Sequence, residues 1–169
     1  MGILNGNPKD EPLHYGEVSV LWAASLTAKS MVAAYSTLMN HAGDEDLKKL
    51  IQEAIMLEQA EMLGLDEMLK EHGVAIPPAP PERPKANIED IPAGARFTDP
   101  EISASISREA GLGLTALSQA MSQCIREDIA AMFAQFHAAK VKFGHSALKL
   151  SKEKGWLVVP PLHMEPAKV

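Results

Sequence analysis

Residues 74–97, "VAIPPAPPERPKANIEDIPAGARF", hold six of the chain's twelve prolines. Each proline fixes its own φ and removes an N–H donor, so no regular helix can run through the segment. It should be extended over the surface. Its length suits a crossover along the full height of a helical bundle better than a tight turn. The segment divides the chain in two, and each half reads as a pair of helices.

The first helix is expected over about 13–41, with Leu21, Ala24, Ala28, Met31, Tyr35 and Leu38 recurring at spacings of three and four. Gly43 ends it. "GDEDL" opens a second helix over 44–72, with acids where the helix dipole favours them, and Gly73 stops it. After the linker, "FTDPE" opens a third helix over 98–122, with Thr98 or Asp99 as N-cap and Pro100 in the first turn. "REDI" opens a fourth over 126–154, closed by Gly155, and a tail follows over 156–169.

The halves repeat. A shift of 82 places Asp44–Leu47 on Arg126–Ile129, Ser36 on Ser118, Met39 on Met121, Gly73 on Gly155 and Pro78 on Pro160. Several matches in one register imply two related helical hairpins. The expectation is an all-α fold: a single ferritin-like antiparallel four-helix bundle made of two hairpins joined by a long Pro-rich crossover.

The core stripes contain charges. The stripe of the fourth helix reads Ile129, Met132, Phe133, Phe136, Lys140, Phe143, Ala147, Leu150. Shifted back, it becomes Leu47, Leu50, Ile51, Ala54, Glu58, Glu61, Leu65, Met68. The third-helix stripe, Ile102, Ile106, Glu109, Gly113, Ala116, carries one acid, and Lys29 stands beside the stripe of the first. These charges sit near helix midpoints, and in an antiparallel bundle midpoints meet. Buried alone, each would cost several kcal/mol; together they neutralise one another. A buried ion-pair cluster of Glu58, Glu61, Glu109 and Lys140 is therefore expected. Ferritin-like bundles use this level for two metals, with Glu on two helices and Glu-x-x-His on the other two. Here the second helix reads Glu-x-x-Glu and the fourth has Lys140 and Phe143. No metal or cofactor is expected. If the site were metallated, its ligands would be Glu58, Glu61 and Glu109 with His137 or His145.

Other chemistry finds little support. His14, His41 and His72 fall at helix ends and His163 in the tail, so no i, i+4 histidine pair arises. "GLG" at 111–113 lies inside a helix and suits close packing. Met56, Met62, Met68, Met121 and Met132 read as core filler. Cys124 is the only cysteine, which excludes an internal disulfide and a cysteine-based zinc cluster. A net charge of −6 argues against nonspecific nucleic-acid binding and attraction to anionic membranes. The N-terminal "MGILNGNPKDEP" lacks a signal-peptide apolar core, and Gly6 departs from the myristoylation pattern. No run of about 18 apolar residues is seen, so membrane insertion is not expected and synthesis should be cytoplasmic.

With "EQAEM" (58–62) in mid-helix, "LKEHGV" (69–74) ending the second helix and "SKEKGWLVVPPLH" (151–163) ending the fourth, the chain resembles the spore coat protein F-like proteins of endospore-forming bacteria. The resemblance covers nearly the whole chain; Gly155, Trp156, Pro160 and Pro161 are its most specific part. It implies a ferritin-like bundle and a structural role at the spore coat. Related proteins often carry histidine in the helix-two motif where Glu61 stands, which counts against metal binding.

The expected function is a non-enzymatic structural or interaction protein of the spore coat. A ferritin-like metalloprotein, an oxidase or metal store with a degenerate carboxylate site, is the alternative. A carrier using an apolar cleft between helices is a third. Trp156, Leu157, Val158 and Val159 should pack across the bundle end or into a neighbour. With the surplus apolar residues of the first helix (Val18, Val20, Leu21, Trp22, Leu26, Met31, Val32), they point to a homodimer; other coat proteins are further partners.

Overall fold

The computed structural model describes residues 11–163. Gly6 and the end of the tail, 164–169, lie outside them. The described chain is all-helical: α1 Tyr15–His41, α2 Glu45–Glu71, α3 Asp99–Gln123 and α4 Glu127–Glu153, with no strand among the described residues. Helices of 25 to 27 residues span roughly 40 Å. Packing is closest within the hairpins α1–α2 and α3–α4; between them, α2 meets α4 more extensively than α1 meets α3.

The helix ends follow from local chemistry. Asp44 caps α2 by accepting from the N–H groups of Asp46 and Leu47. At α3, Glu101 reaches back to the N–H of Thr98 at 2.7 Å. Gly73 and Gly155 both have φ of 70°. Each lets the chain reverse while Val74 N–H bonds Leu69 O at 2.9 Å and Trp156 N–H bonds Ser151 O at 2.9 Å. Gly43 behaves differently from the expected helix-ending glycine. Positive φ is confined to Gly73 and Gly155 among the described residues, and the end of α1 is capped by Ala42 in an extended conformation.

The 82-residue repeat reappears as reciprocal contacts. Glu17 on α1 accepts from the N–H groups of Ile125 and Arg126, both at 2.9 Å, and so caps the entry to α4. Its counterpart Asp99 accepts from Gly43 at 2.8 Å and Asp44 at 3.0 Å, capping the entry to α2. Lys154 holds Asp44 at 2.7 Å, and its counterpart His72 meets Arg126 at 2.6 Å. Such mutual exchange is the signature of two-fold symmetry, here internal.

The linker climbs beside α1. Trp22 donates to Ala75 O at 3.1 Å, Lys29 to Pro77 O at 2.7 Å and Asn40 to Pro84 O at 3.0 Å; Phe97 N–H donates to His41 Nδ1 at 3.2 Å. It stays irregular apart from two short 3₁₀ turns, Ile88–Asp90 and Ala93–Ala95. Part of the surplus apolar face of α1 is thus met by the chain's own linker.

By length and composition alone α1 is long and apolar enough to cross a membrane, although it contains no unbroken apolar run. Interspersed Ala and Ser hid this from a search for an unbroken apolar run.

Candidate functional site

The core is interrupted at mid-height. On α2, Leu47 to Ile55 belong to one apolar cluster and Leu65 and Leu69 to a second, and Glu58 and Glu61 fall between them. On α4, Phe143 and Ala147 lie in the first cluster and Ile129 and Phe133 in the second, with Lys140 between. Three-residue spacing turns both glutamates inward on one helical face.

Lys140 Nζ donates to Glu58 Oε1 at 2.8 Å and lies 3.1 Å from Glu61 Oε1. All three side chains are more than nine-tenths buried. The second contact lacks hydrogen-bond geometry, so Glu61 Oε1 is buried without a hydrogen-bond partner. Burial pushes the Glu61 carboxyl up to about 7; attraction to Lys140 opposes this and repulsion from Glu58 adds to it. Burial alone would lower Lys140, but its attraction to Glu58 and then Glu61 prevails and raises it. Lys140 is thus paired with Glu58, and Glu61 is the carboxyl whose charge burial opposes. Gly113 makes room for it: a Cβ there would stand 2.7 Å from Lys140 Cδ.

Glu109 faces the same region but is not part of the pair. It is partly exposed, and its salt bridge runs to Arg108 at 3.2 Å. Lys29, grouped with the central charges in the sequence, also goes elsewhere: it pairs with Asp66 at 2.9 Å. Ser25 donates to the same Asp66. Asp66 was missed because it stands one residue off the apolar stripe, where a solvent-facing acid would look identical in sequence. Arg126 was missed too. It is almost fully buried, held by Asp128 at 2.7 Å and Glu11 O at 3.0 Å, in a helix-start position that usually faces water.

The central carboxylates are reached from outside. A cleft of about 380 Å³ opens between α1 and α3 and ends on Glu58, Glu61, Glu109 and Lys140. Small facing residues, Ala24 and Ala28 on α1 and Gly113, Ala116 and Ala120 on α3, keep it open. Tyr35 stands at its inner end, its phenol pushed up by burial and by the negative charge of Glu58, Glu109 and Glu61.

The donor set does not fit a two-metal centre. Lys140 Nζ occupies the position between the two carboxylates, where a dication would be repelled. His145 is exposed, His137 is half-buried, and neither lines the cleft. Among the described residues no group of three His, Cys, Asp or Glu side chains is placed to hold a metal ion. In the tail, Trp156 packs against the apolar cluster beside the α1–α2 turn, Leu157 is half-buried, and Val158 and Val159 are exposed. The start of the tail therefore splits: Trp156 and Leu157 close the bundle, and Val158 and Val159 face outward.

The family of proteins of unknown function DUF3231 matches residues 1–169. The uncharacterized protein YvdQ of Bacillus subtilis (strain 168) is 53% identical over 165 residues, 98% of this chain and 97% of that protein. The crystal structure of a putative spore coat protein from Bacillus halodurans C-125 superposes with a TM-score of 0.92 at 56% identity, covering 94% of this chain and 100% of that one. The chain belongs to the DUF3231 family.

Proposed function

We propose that the protein is a non-enzymatic structural or interaction component of the spore coat, made in the cytoplasm, laid down on the forming spore and acting as a homodimer. The observation that carries this role is the occupant of the bundle centre. At the level where a ferritin-like bundle keeps its metal ligands, the chain supplies its own cation, Lys140, 2.8 Å from Glu58. A buried charge pair of this kind can fix the register of the two hairpins, a structural use of charge. The likeness to the Bacillus halodurans protein supplies the coat assignment. Support for the homodimer comes from the sparsely buried apolar stretch of α1 and the outward-facing Val158, Val159 and Leu162.

Two experiments test this. A fluorescent fusion in a sporulating Bacillus should collect around the forespore; a signal that stays diffuse in the mother cell counts against a coat role. Protein purified without chelator should carry far less than one metal per chain. Stoichiometric iron, manganese or zinc bound through Glu58 and Glu61 would establish the metalloprotein alternative instead.

A further inference from the structure

We propose that the α1–α3 cleft binds a small amphiphilic amine, with its apolar body between the helices and its ammonium group against Glu61.

The cleft has the build of a ligand site. At about 380 Å³ it falls in the size range of small-molecule pockets. Its walls are mostly apolar, with Val20, Met31 and Leu112 beside the small residues that hold it open and Thr27, Gln119 and Gln123 among them, and its charged groups gather around Lys140. An empty apolar cleft forfeits packing contacts, and an occupant would restore them.

The inner end selects the head group. Two carboxylates share one ammonium there: Lys140 Nζ donates to Glu58 at 2.8 Å and lies 3.1 Å from Glu61 Oε1, in poorer hydrogen-bond geometry. Glu109, partly exposed, is answered by Arg108. With Glu61 ionised, the interior carries one uncompensated negative charge, two carboxylates against the single ammonium of Lys140. A second ammonium supplies the missing positive charge together with several N–H donors. A carboxylate head would meet Glu58, Glu61 and Glu109 and be repelled. A hydroxyl would leave the charge unbalanced.

The groups facing this head are Tyr35 on α1, Glu58 and Glu61 on α2, Glu109 on α3 and Lys140 on α4. Burial places Glu61 near neutrality, at about 7. Binding of an ammonium should therefore strengthen as the pH rises from 6 to 8, while a simple alkylamine stays protonated throughout.

The test is calorimetric titration of the full chain with octylamine, octanol and octanoate, which share a body and differ in head. Octylamine should bind one per chain, at least tenfold more tightly than either of the others, and more tightly at pH 8 than at pH 6. Glu61→Gln, nearly isosteric, should weaken octylamine at least tenfold. Ala116→Phe, at an exposed position that can accept the larger side chain, should abolish binding by filling the cleft. Circular dichroism of each variant verifies the fold. Equal affinity for the three ligands, binding unaffected by Glu61→Gln in folded protein, or no octylamine binding at millimolar concentration overturns the proposal.

Discussion

Glu58 and Lys140 stand 82 positions apart in the chain and 2.8 Å apart in the fold. The interval equals that of the internal repeat, so each occupies the other's place in the opposite hairpin. Residues related in this way meet where the internal two-fold passes through the bundle. Identical residues there would bring like charges or duplicated bulk together. An acid in one hairpin and a base in the other turn that position into a lock that only the correct pairing closes.

Glu61 makes stability depend on pH. Its folded-state value, about 7, stands above its ordinary value of 4.5. The folded chain therefore holds an extra proton between these values, and stability falls as pH rises across that window. The full effect corresponds to about 3 kcal/mol at most. Denaturant unfolding should give a higher midpoint at pH 5 than at pH 8, and Glu61→Gln should flatten the difference. The opposite sign applies in acid. Lys154 holds Asp44, and Arg126 holds Asp128, below the usual aspartate range, so stability should drop again as pH falls through their folded values. An unfolding midpoint that rises steadily from pH 5 to 8 would contradict this account of Glu61.

The glycines at 111 and 113 should respond differently to alanine. At Gly113 a methyl group would stand 2.7 Å from the Lys140 stem, which the central carboxylates hold in place. Overpacking of this kind costs about 1–3 kcal/mol. At Gly111 an added Cβ would point into open space. There the gain in helix propensity should stabilise by up to about 1 kcal/mol. Thermal unfolding of the two variants gives the comparison, and equal effects would show that Lys140 is not confined against α3.

The reciprocal caps predict paired losses. Removing Asp99 frees the N–H groups of Gly43 and Asp44, and removing Glu17 frees those of Ile125 and Arg126. Asp99→Ala should cost about 1 kcal/mol, within the usual range for a lost cap. Glu17→Ala should cost more, because its carboxylate is fully buried and also accepts from His14 N–H. A Glu17 variant as stable as the parent in urea unfolding would remove the capping role.

Association should be visible in solution. The exposed apolar parts of α1, together with Val158 and Val159, should give a dimer mass by light scattering at tens of micromolar. Val158→Asp with Val159→Asp should shift the equilibrium toward monomer. A monomer mass for the parent chain at that concentration would refute the dimer.

Much of this fold could be read from the sequence, because the signals are local. Asp44, Thr98, Gly73 and Gly155 mark helix ends through their own chemistry, and the prolines of 74–97 exclude regular structure wherever they fall. The central charges were legible for another reason: Glu58 and Lys140 interrupt apolar stripes and coincide under the repeat. What the sequence hid depends on lateral position. Lys29 with Asp66, and Arg126 with Asp128 and His72, lie beside a stripe or at a helix start. In sequence, such residues are indistinguishable from solvated ones. Glu109 shows the converse, since its place on a stripe proved to face the cleft between α1 and α3. Helical periodicity gives the face of a residue, but not whether the neighbouring helix closes over it.

The central claim is that Lys140 neutralises the buried acids of α2, and a double-mutant cycle on Lys140 and Glu58 tests it most directly. Lys140→Met leaves two buried carboxylates without a cation and should cost about 3–5 kcal/mol in denaturant unfolding at neutral pH. Glu58→Met alone should cost less, because Glu61 remains beside Lys140 at 3.1 Å. The double variant should recover much of the loss, giving a coupling of about 2 kcal/mol or more, well beyond the additivity of independent sites. Two near-neutral single changes that simply add would show the pair to be incidental, and the bundle centre would need another explanation.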